Sequence, residues 1–273
     1  MGRKRGKDAN RRKKVLITGS GSGIGRSTAI TLARRGHIVL ATTHDEEGAE
    51  MLNKMAKGKG ITLQSFKLDV TLPADRQKVL DNDIDVLINN AGIGESGSLT
   101  EIDIDRVRHN FEVNVFGPLE LTQLALKDMM RRDRGTIIFI SSLAGRVSMP
   151  FLGPYGMTKS ALSNGVTAMR RELSMVTSNV HVVLVEPGIY HTGFNQETIS
   201  KKYGWMGERS YFHAMIEQLR SDEEFYLNLA ERHSTKSIIT KIVAATEASR
   251  PRHRYVAPWW QGFLVQMARM LGM

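Results

Sequence analysis

A glycine-rich segment near the start of the chain constrains its fold more than any other feature of the sequence. It reads Thr18-Gly19-Ser20-Gly21-Ser22-Gly23-Ile24-Gly25 and joins an apolar run at 15–18 to a helix predicted from 24 to 35. The apolar run is typical of a buried parallel strand. The glycines permit a tight turn and a close backbone approach, and the following helix offers unpaired N–H groups to an anion. The segment therefore predicts a strand–turn–helix unit with a place for a pyrophosphate.

Strands and helices continue to alternate along the chain. Strands are predicted at 37–43, 63–70, 86–88, 136–141, 180–185 and 254–257, and helices at 46–57, 103–132 and 155–176. We expect Gly117-Pro118 to bend the longest helix. Buried strands that alternate with helices indicate an α/β fold, a doubly wound parallel sheet or Rossmann fold. We expect residues 15–257 to form a single domain.

The positive charge of the chain is concentrated at its start. Residues 1–14 hold eight Lys or Arg against one Asp, which accounts for +7 of the formal net charge of +10 over 273 residues. We expect a disordered, solvated tail, with contact to anionic lipid or nucleic acid as the alternative. The basicity does not indicate a nucleic-acid-binding face on the domain itself.

Composition excludes several kinds of site. The chain has no cysteine, so disulfides, thiolate metal sites and cysteine nucleophiles are absent. Its eight histidines show no paired ligand spacing, and we expect no metal site. The N-terminus has charge but no apolar core of a secretory signal, and no apolar run approaches the ~18 residues of a spanning helix. We expect a cytoplasmic protein.

A tyrosine and a lysine four residues apart form a candidate catalytic pair. Tyr155 and Lys159 share one face of the helix predicted at 155–176, so the ammonium can lie beside the phenol. A free tyrosine ionises near pH ~10, and a neighbouring positive charge favours the phenolate. The sequence therefore predicts that Lys159 lowers the pKa of Tyr155 and lets the phenol exchange a proton near neutral pH.

The end of the second predicted strand bears on the choice of nucleotide. A carboxylate there accepts hydrogen bonds from the free ribose of NAD and repels the 2′-phosphate of NADP. The sequence has Thr43 and His44 at this point, and Asp45 and Glu46 follow at once. The Thr43 hydroxyl and the His44 ring favour NADP, whereas the two acids could serve NAD. We expect NADP in preference to NAD.

Several motifs in fixed order resemble those of the short-chain dehydrogenase/reductase family, between 15 and about 192. Besides the glycine-rich segment and the Tyr155–Lys159 pair, they are Asp69-Val70, Asn89-Asn90-Ala91-Gly92, Asn114 in its Val113–Gly117 context, Ser141–Gly145, and Pro187-Gly188 followed by Thr192. The pattern is most similar to the hydroxysteroid and retinol dehydrogenase branch.

The resemblance implies hydride transfer between a nicotinamide and a carbinol or carbonyl carbon. Tyr155 would donate or accept the proton, Ser142 would hold the substrate oxygen, Lys159 would bind the nicotinamide ribose and Asn114 would anchor a water. The spacing of thirteen residues to Tyr155 selects Ser142 rather than Ser141. The implied cofactor-binding residues are Gly19, Ser20, Ser22, Gly23, Ile24, Gly25, Thr43, His44, Asp69, Val70, Asn90, Ala91, Gly92, Tyr155, Lys159, Pro187, Gly188 and Thr192.

The resemblance also implies a helical flap over the substrate at 193–236 and a homodimer or homotetramer that pairs the helices 103–132 and 155–176. Aromatic residues and methionines in the flap suit an apolar alcohol or ketone, such as a steroid, a retinoid or another lipid, and would equally suit packing of the flap itself. Two alternatives remain: a 3-oxoacyl reductase of lipid or polyketide synthesis, and a non-catalytic nucleotide-sensing or nucleic-acid-binding protein. The complete catalytic set argues against the second.

The C-terminal residues 258–273 predict an amphipathic helix. Seven apolar residues fall on one arc of about 140°: Trp259, Trp260, Phe263, Leu264, Met267, Met270 and Leu271. Arg250, Arg252 and Arg254 precede them. Such a helix suits peripheral contact with a membrane, and it also suits packing against the flap or against a partner subunit.

Overall fold

A seven-stranded, fully parallel sheet forms the centre of the molecule. The computed structural model of the protein describes residues 12–272, and the strand order is β3-β2-β1-β4-β5-β6-β7. The strands are β1 (Lys14–Ile17), β2 (Ile38–Thr43), β3 (Gln64–Lys67), β4 (Val86–Asn89), β5 (Gly135–Ile140), β6 (Val180–Pro187) and β7 (Arg254–Ala257). The order reverses between β1 and β4, which confirms the predicted doubly wound fold.

Helices cover both faces of the sheet. They are α1 (Gly23–Arg34), α2 (Glu46–Gly58), α3 (Pro73–Gln77), α4 (Ile104–Phe111), α5 (Gly117–Arg131), α6 (Gly153–Ser174), α7 (Phe194–Trp205), α8 (Ile216–Ala230), α9 (Lys236–Glu247) and α10 (Trp259–Met270). Successive strand residues point to opposite faces. Val15 and Ile17 therefore pack with α1 and α9, while Leu16 packs with α5 and α6.

The structure differs from the sequence prediction in several places. The helix predicted at 103–132 is two helices joined by a π-helical turn at Glu112–Phe116, and Pro118 lies in the first turn of the second one. The third strand is shorter than 63–70. Helix α9 was not predicted, although Ile238, Ile239, Ile242 and Val243 form a buried stripe with helical spacing.

The predicted N-terminal tail and the predicted flap can be compared with the structure. Most of the tail predicted at 1–14 lies outside the described residues, but Lys14 already belongs to β1. The predicted flap consists of α7, a short 3₁₀ turn at His213–Met215, and α8. Across 12–272, no helix is both long enough and apolar enough to cross a membrane.

Candidate active site

The glycine-rich loop is bonded to the loop that follows β4. The Thr18 hydroxyl oxygen accepts from the backbone N–H groups of Asn90 and Ala91, each at 3.0 Å. The Asn90 amide in turn donates to the carbonyls of Thr18 and Gly19 at 2.9 Å. Gly19 has a φ of +65°, and a Cβ there would lie 2.6 Å from the Ala91 Cα. Only glycine therefore allows the two loops to meet at the point where the strand order reverses.

The start of α1 fits a pyrophosphate. Ser22 is the N-cap residue, but its side chain makes no capping hydrogen bond, and the first turn contains no acidic residue. The first N–H groups of this helix are thus available to an anion, which the helix dipole also favours. A Cβ at Gly23 would lie 3.2 Å from the Thr192 side chain, so the loop after β6 reaches the same helix end. Ser20 is buried and its hydroxyl donates to the Ile17 carbonyl.

The end of β2 is occupied by a compact group of polar contacts. The Thr43 hydroxyl donates to the Asp45 carbonyl at 2.7 Å, so its proton is not directed to a phosphate, as the sequence analysis had suggested. The His44 ring is exposed and pairs with the Asp45 carboxylate at 2.7 Å. Asp45 also caps α2 by accepting from the Gly48 N–H at 2.6 Å. The acidic residue nearest to the predicted 2′ position is therefore held in place.

The Asp69-Val70 pair lies in the turn after β3. The Asp69 carboxylate accepts from the Thr71 backbone N–H at 2.8 Å and from its hydroxyl at 2.7 Å. The Val70 carbonyl accepts from the buried Arg76 guanidinium at 2.7 Å. These contacts fix the turn that carries two of the predicted cofactor-binding residues.

Tyr155 and Lys159 are both buried near the start of α6. The Lys159 Nζ donates to the Ile140 carbonyl, the last residue of β5, at 3.1 Å. It lies 5.6 Å from the centroid of the Tyr155 ring. The predicted proximity of the two side chains is therefore present, and β5 holds the amine at the carboxyl edge of the sheet.

Burial controls the ionisation of this pair. Desolvation raises the pKa of Tyr155 to about 12, and a hydrogen bond with Ser142 opposes the rise. Desolvation also lowers the pKa of Lys159 to about 8. The expectation of a lowered pKa for Tyr155 is wrong for this structure: burial raises it, and the opposing contribution comes from Ser142. At neutral pH the phenol is protonated and placed to act as an acid.

The two adjacent serines have different environments. Ser141 is buried, with its hydroxyl 2.8 Å from the Ser163 hydroxyl and 3.2 Å from the Lys159 carbonyl. Ser142 caps the short 3₁₀ turn at Leu143–Gly145 by accepting from the Ala144 N–H at 3.1 Å, and it also bonds Tyr155. Of the two serines, Ser142 is the one that acts on the phenol, and its catalytic role stays a prediction.

Asn114 lies at the centre of the π-helical turn and is fully buried. Its amide oxygen accepts from the Ile93 N–H at 2.9 Å, and its amide nitrogen donates to the Ile93 carbonyl, to Asn110 and to the Thr158 hydroxyl. A Cβ at Gly92 would lie 3.1 Å from the Asn114 Oδ1 and 3.5 Å from the Lys159 Nζ. Gly92 thus leaves space between these two groups.

Some residues that support the site were missed from the sequence. Asn110 lies four residues before Asn114, and this spacing could have revealed it. Glu186 is fully buried at the end of β6 and binds the guanidinium groups of Arg146 and Arg254. This ion cluster joins the serine loop, β6 and β7, and no local pattern indicates it because its members are far apart in the chain.

The loop after β6 is held by the C-terminal helix. The Gly188 N–H donates to the Ala257 carbonyl at 2.8 Å. The Gln261 Oε1 accepts from the Ile189 N–H at 2.8 Å, and its Nε2 donates to the Ala230 carbonyl, also at 2.8 Å. One glutamine of α10 therefore binds both the loop at 187–192 and the last residue of α8.

The flap covers the site with aromatic side chains. The Phe194 ring lies 5.6 Å from the Tyr155 ring, and Phe151 and Phe212 make an edge contact at 5.0 Å. Trp205 packs on Gly97, where any side chain would collide with the indole. Other apolar flap residues face solvent, namely Tyr211, Met215, Phe225, Tyr226 and Leu229. The flap thus places one aromatic ring, that of Phe194, beside the phenol and leaves several apolar side chains exposed.

No metal centre competes with this interpretation in the part of the chain that the structure describes, since residues 12–272 contain no group of three potential His, Asp or Glu ligands. His181 bonds the Ser249 carbonyl and His191 pairs with Glu231, both in structural contacts.

The fold and this site define an oxidoreductase that acts on CH–OH or C=O groups with NAD or NADP. Residues 13–203 match the short chain dehydrogenase family. The chain belongs to the short-chain dehydrogenase/reductase family.

Three related proteins show the range of the similarity. The chain is 32% identical to mouse dehydrogenase/reductase SDR family member 7B over 203 residues, 70% of this chain and 62% of that protein, so it spans less than two thirds of this relative. It is 28% identical to human 17-beta-hydroxysteroid dehydrogenase type 1 over 253 residues, 88% of this chain and 76% of the relative. A gluconate 5-dehydrogenase from Burkholderia cenocepacia, solved with NADP and tartrate, superposes with a TM-score of 0.64 at 28% identity, covering 70% of this chain and 78% of that one.

Proposed function

We propose that the protein transfers a hydride between NADP and an apolar alcohol or ketone, with Asn114, Ser142, Tyr155 and Lys159 as the catalytic residues. The observation that carries the proposal is the protonated, buried Tyr155, bonded to Ser142 and 5.6 Å from the Lys159 amine at the edge where the glycine-rich loop lies. A phenol in this state can give a proton to a carbonyl oxygen as the carbon accepts hydride.

The roles follow from the contacts of each side chain. Nicotinamide, when bound, supplies or accepts the hydride. Tyr155 would exchange the proton with the substrate oxygen, and Ser142 would hold that oxygen. Lys159 would bind the nicotinamide ribose and replenish the proton, while Asn114 would hold a water in the space beside Gly92. The glycine-rich loop, Asp69-Val70, Asn90-Ala91-Gly92 and the Pro187–Thr192 loop would hold the rest of the dinucleotide.

An apolar substrate is supported by Phe194 beside Tyr155 and by the contact of Phe212 in the flap with Phe151 just before α6. The similarity to a hydroxysteroid dehydrogenase points in the same direction. These aromatic side chains suit a steroid, a retinoid or another lipid-like alcohol or ketone better than a sugar acid. The preference for NADP rests on the absence of an acid at Thr43 and on the NADP bound to the gluconate 5-dehydrogenase relative.

We further infer a cytoplasmic homodimer or homotetramer that meets a membrane peripherally. Phe116 of the π-helical turn and Met157 of α6 are exposed apolar residues on the elements predicted to face a partner. The C-terminal helix would supply the membrane contact.

A turnover screen tests the proposed function. Lipophilic alcohols and ketones are offered with NADPH, NADP, NADH and NAD, and the change in nicotinamide absorbance is followed. We expect turnover with at least one steroid-like or retinoid-like compound, and faster turnover with the phosphorylated cofactor. Turnover of short sugar acids alone would contradict the proposed substrate class.

A further inference from the structure

The C-terminal helix α10 turns its apolar side away from the domain. Gln261 and Gly262 are its buried residues, whereas six of the seven residues on the predicted apolar arc are between 40% and 77% exposed. They are Trp259, Phe263, Leu264, Met267, Met270 and Leu271. The alternative in which this arc packs against the flap is therefore wrong, and we call these six residues the docking face.

The charge around the docking face is positive. No Asp or Glu follows Glu247 in the sequence, whereas Arg250, Arg252, Arg254 and Arg269 do. Arg254 pairs with Glu186, but Arg250, Arg252 and Arg269 are exposed. Exposed tryptophan and phenylalanine, in a C-terminal segment whose charged side chains are all arginines, match the composition of helices that lie in the interface of an anionic bilayer.

A second copy of the chain fits the docking face less well. A helix of 12 residues is about 18 Å long and roughly 10 Å wide, so one side offers on the order of 200–400 Å². A stable protein interface buries about 800 Å² on each partner. A bilayer needs no matching shape and can cover a single helix.

Helix α10 is also connected to the active site. Gln261 binds both the Ile189 N–H, in the loop predicted to bind the cofactor, and the Ala230 carbonyl, at the end of flap helix α8. Leu229, next to Ala230, is itself exposed. If α10 moved when it bound a surface, these two hydrogen bonds would move the loop at 187–192 and the end of α8 with it.

We propose that the docking face of α10 binds an anionic lipid bilayer and that Gln261 couples this binding to the loop at 187–192 and to α8, so that the lipid surface stimulates turnover. This inference rests on the proposed function, because it assigns the route by which an apolar substrate reaches the same site.

Flotation of the full chain with vesicles tests the binding step without any turnover. Vesicles of phosphatidylcholine are compared with vesicles that also contain phosphatidylserine, and Trp259→Ser and Phe263→Ser are compared with Met51→Ser, a matched change of an exposed apolar residue on α2. We expect phosphatidylserine-dependent binding that falls about tenfold in the two α10 variants and stays unchanged in the control.

Equal flotation of all variants would assign binding to the N-terminal tail and overturn the proposal. A change of sedimentation mass in the α10 variants without a change in flotation would assign the face to a second copy.

Turnover of a water-soluble ketone tests the coupling. We expect the phosphatidylserine vesicles to raise kcat/KM severalfold in the unaltered chain, and Gln261→Leu to keep vesicle binding while losing the stimulation. Binding without stimulation in the unaltered chain would overturn the coupling. Absence of turnover on every ketone, with or without vesicles, would instead refute the proposed function and leave the flotation result standing.

Discussion

The Lys159 Nζ lies over the face of the Tyr155 ring, 5.6 Å from its centroid, whereas Ser142 is the hydrogen-bond partner of the phenol. The positive charge is thus near the ring without contacting the hydroxyl. Burial raises the pKa of Tyr155 to about 12, so the phenol carries its proton at neutral pH.

Removal of the Tyr155 hydroxyl should strongly lower turnover without weakening cofactor binding. Tyr155→Phe keeps the ring that packs against Phe194 and deletes only the proton donor. We expect kcat to fall by roughly 10²–10⁴, the range of general acid catalysis, with little change in the Kd of NADPH measured by fluorescence. Retained turnover would contradict the assigned role.

The rate of ketone reduction should fall above pH 8. Reduction needs the proton of Tyr155 and the charge of Lys159, and the pKa of Lys159 is lowered to about 8 by burial. Below that pH both groups are protonated and kcat/KM is level; above it Lys159 loses its proton and kcat/KM declines.

A lysine-to-arginine variant provides the control for this profile. Arginine stays protonated throughout the accessible pH range, so Lys159→Arg should move the decline to higher pH even if its maximum rate is lower. The same midpoint in both proteins would show that another group controls the profile.

The two adjacent serines should give opposite phenotypes. Ser142→Ala removes the partner of Tyr155 and should lower kcat by about 10², while the lost cap bond to the Ala144 N–H should cost no more than about 1 kcal/mol. Ser141→Ala leaves the Ser163 hydroxyl and the Lys159 carbonyl without their partner, and it should cost about 1–2 kcal/mol in the free energy of unfolding. Urea titration and steady-state kinetics of both variants separate the two effects.

Cofactor preference should respond to the charge of Asp45. Asparagine caps a helix as well as aspartate does, so Asp45→Asn keeps the bond to the Gly48 N–H and removes the negative charge beside His44. We expect the ratio of kcat/KM for NADPH to that for NADH to rise about tenfold, a difference of about 1.4 kcal/mol. Glu47→Gln, the same charge change at an exposed position of α2, should leave the ratio near its original value.

Local patterns were sufficient to predict the architecture, and they also selected the four side chains that we propose as catalytic. The glycine-rich turn, the alternation of strands and helices, and the spacing between Ser142 and Tyr155 are all properties of short stretches. The ionisation state of Tyr155 was not predictable, because it depends on burial by Phe194 and neighbouring elements far along the chain. The role of Gln261 was not predictable for the same reason. Its polar side chain is buried on the inner side of α10 because it bonds two segments that are distant in the sequence.

The π-helical turn at Glu112–Phe116 makes the segment between α4 and α5 sensitive to insertion or deletion of a residue. A π-turn holds one residue more than an α-helical turn, so loss of a single residue there would convert the turn into regular α-helix. The wide turn that places Asn114 against Ile93, Asn110 and Thr158 would then be lost. We therefore expect a change of length in this stretch to disturb the site, although surface loops commonly tolerate such changes.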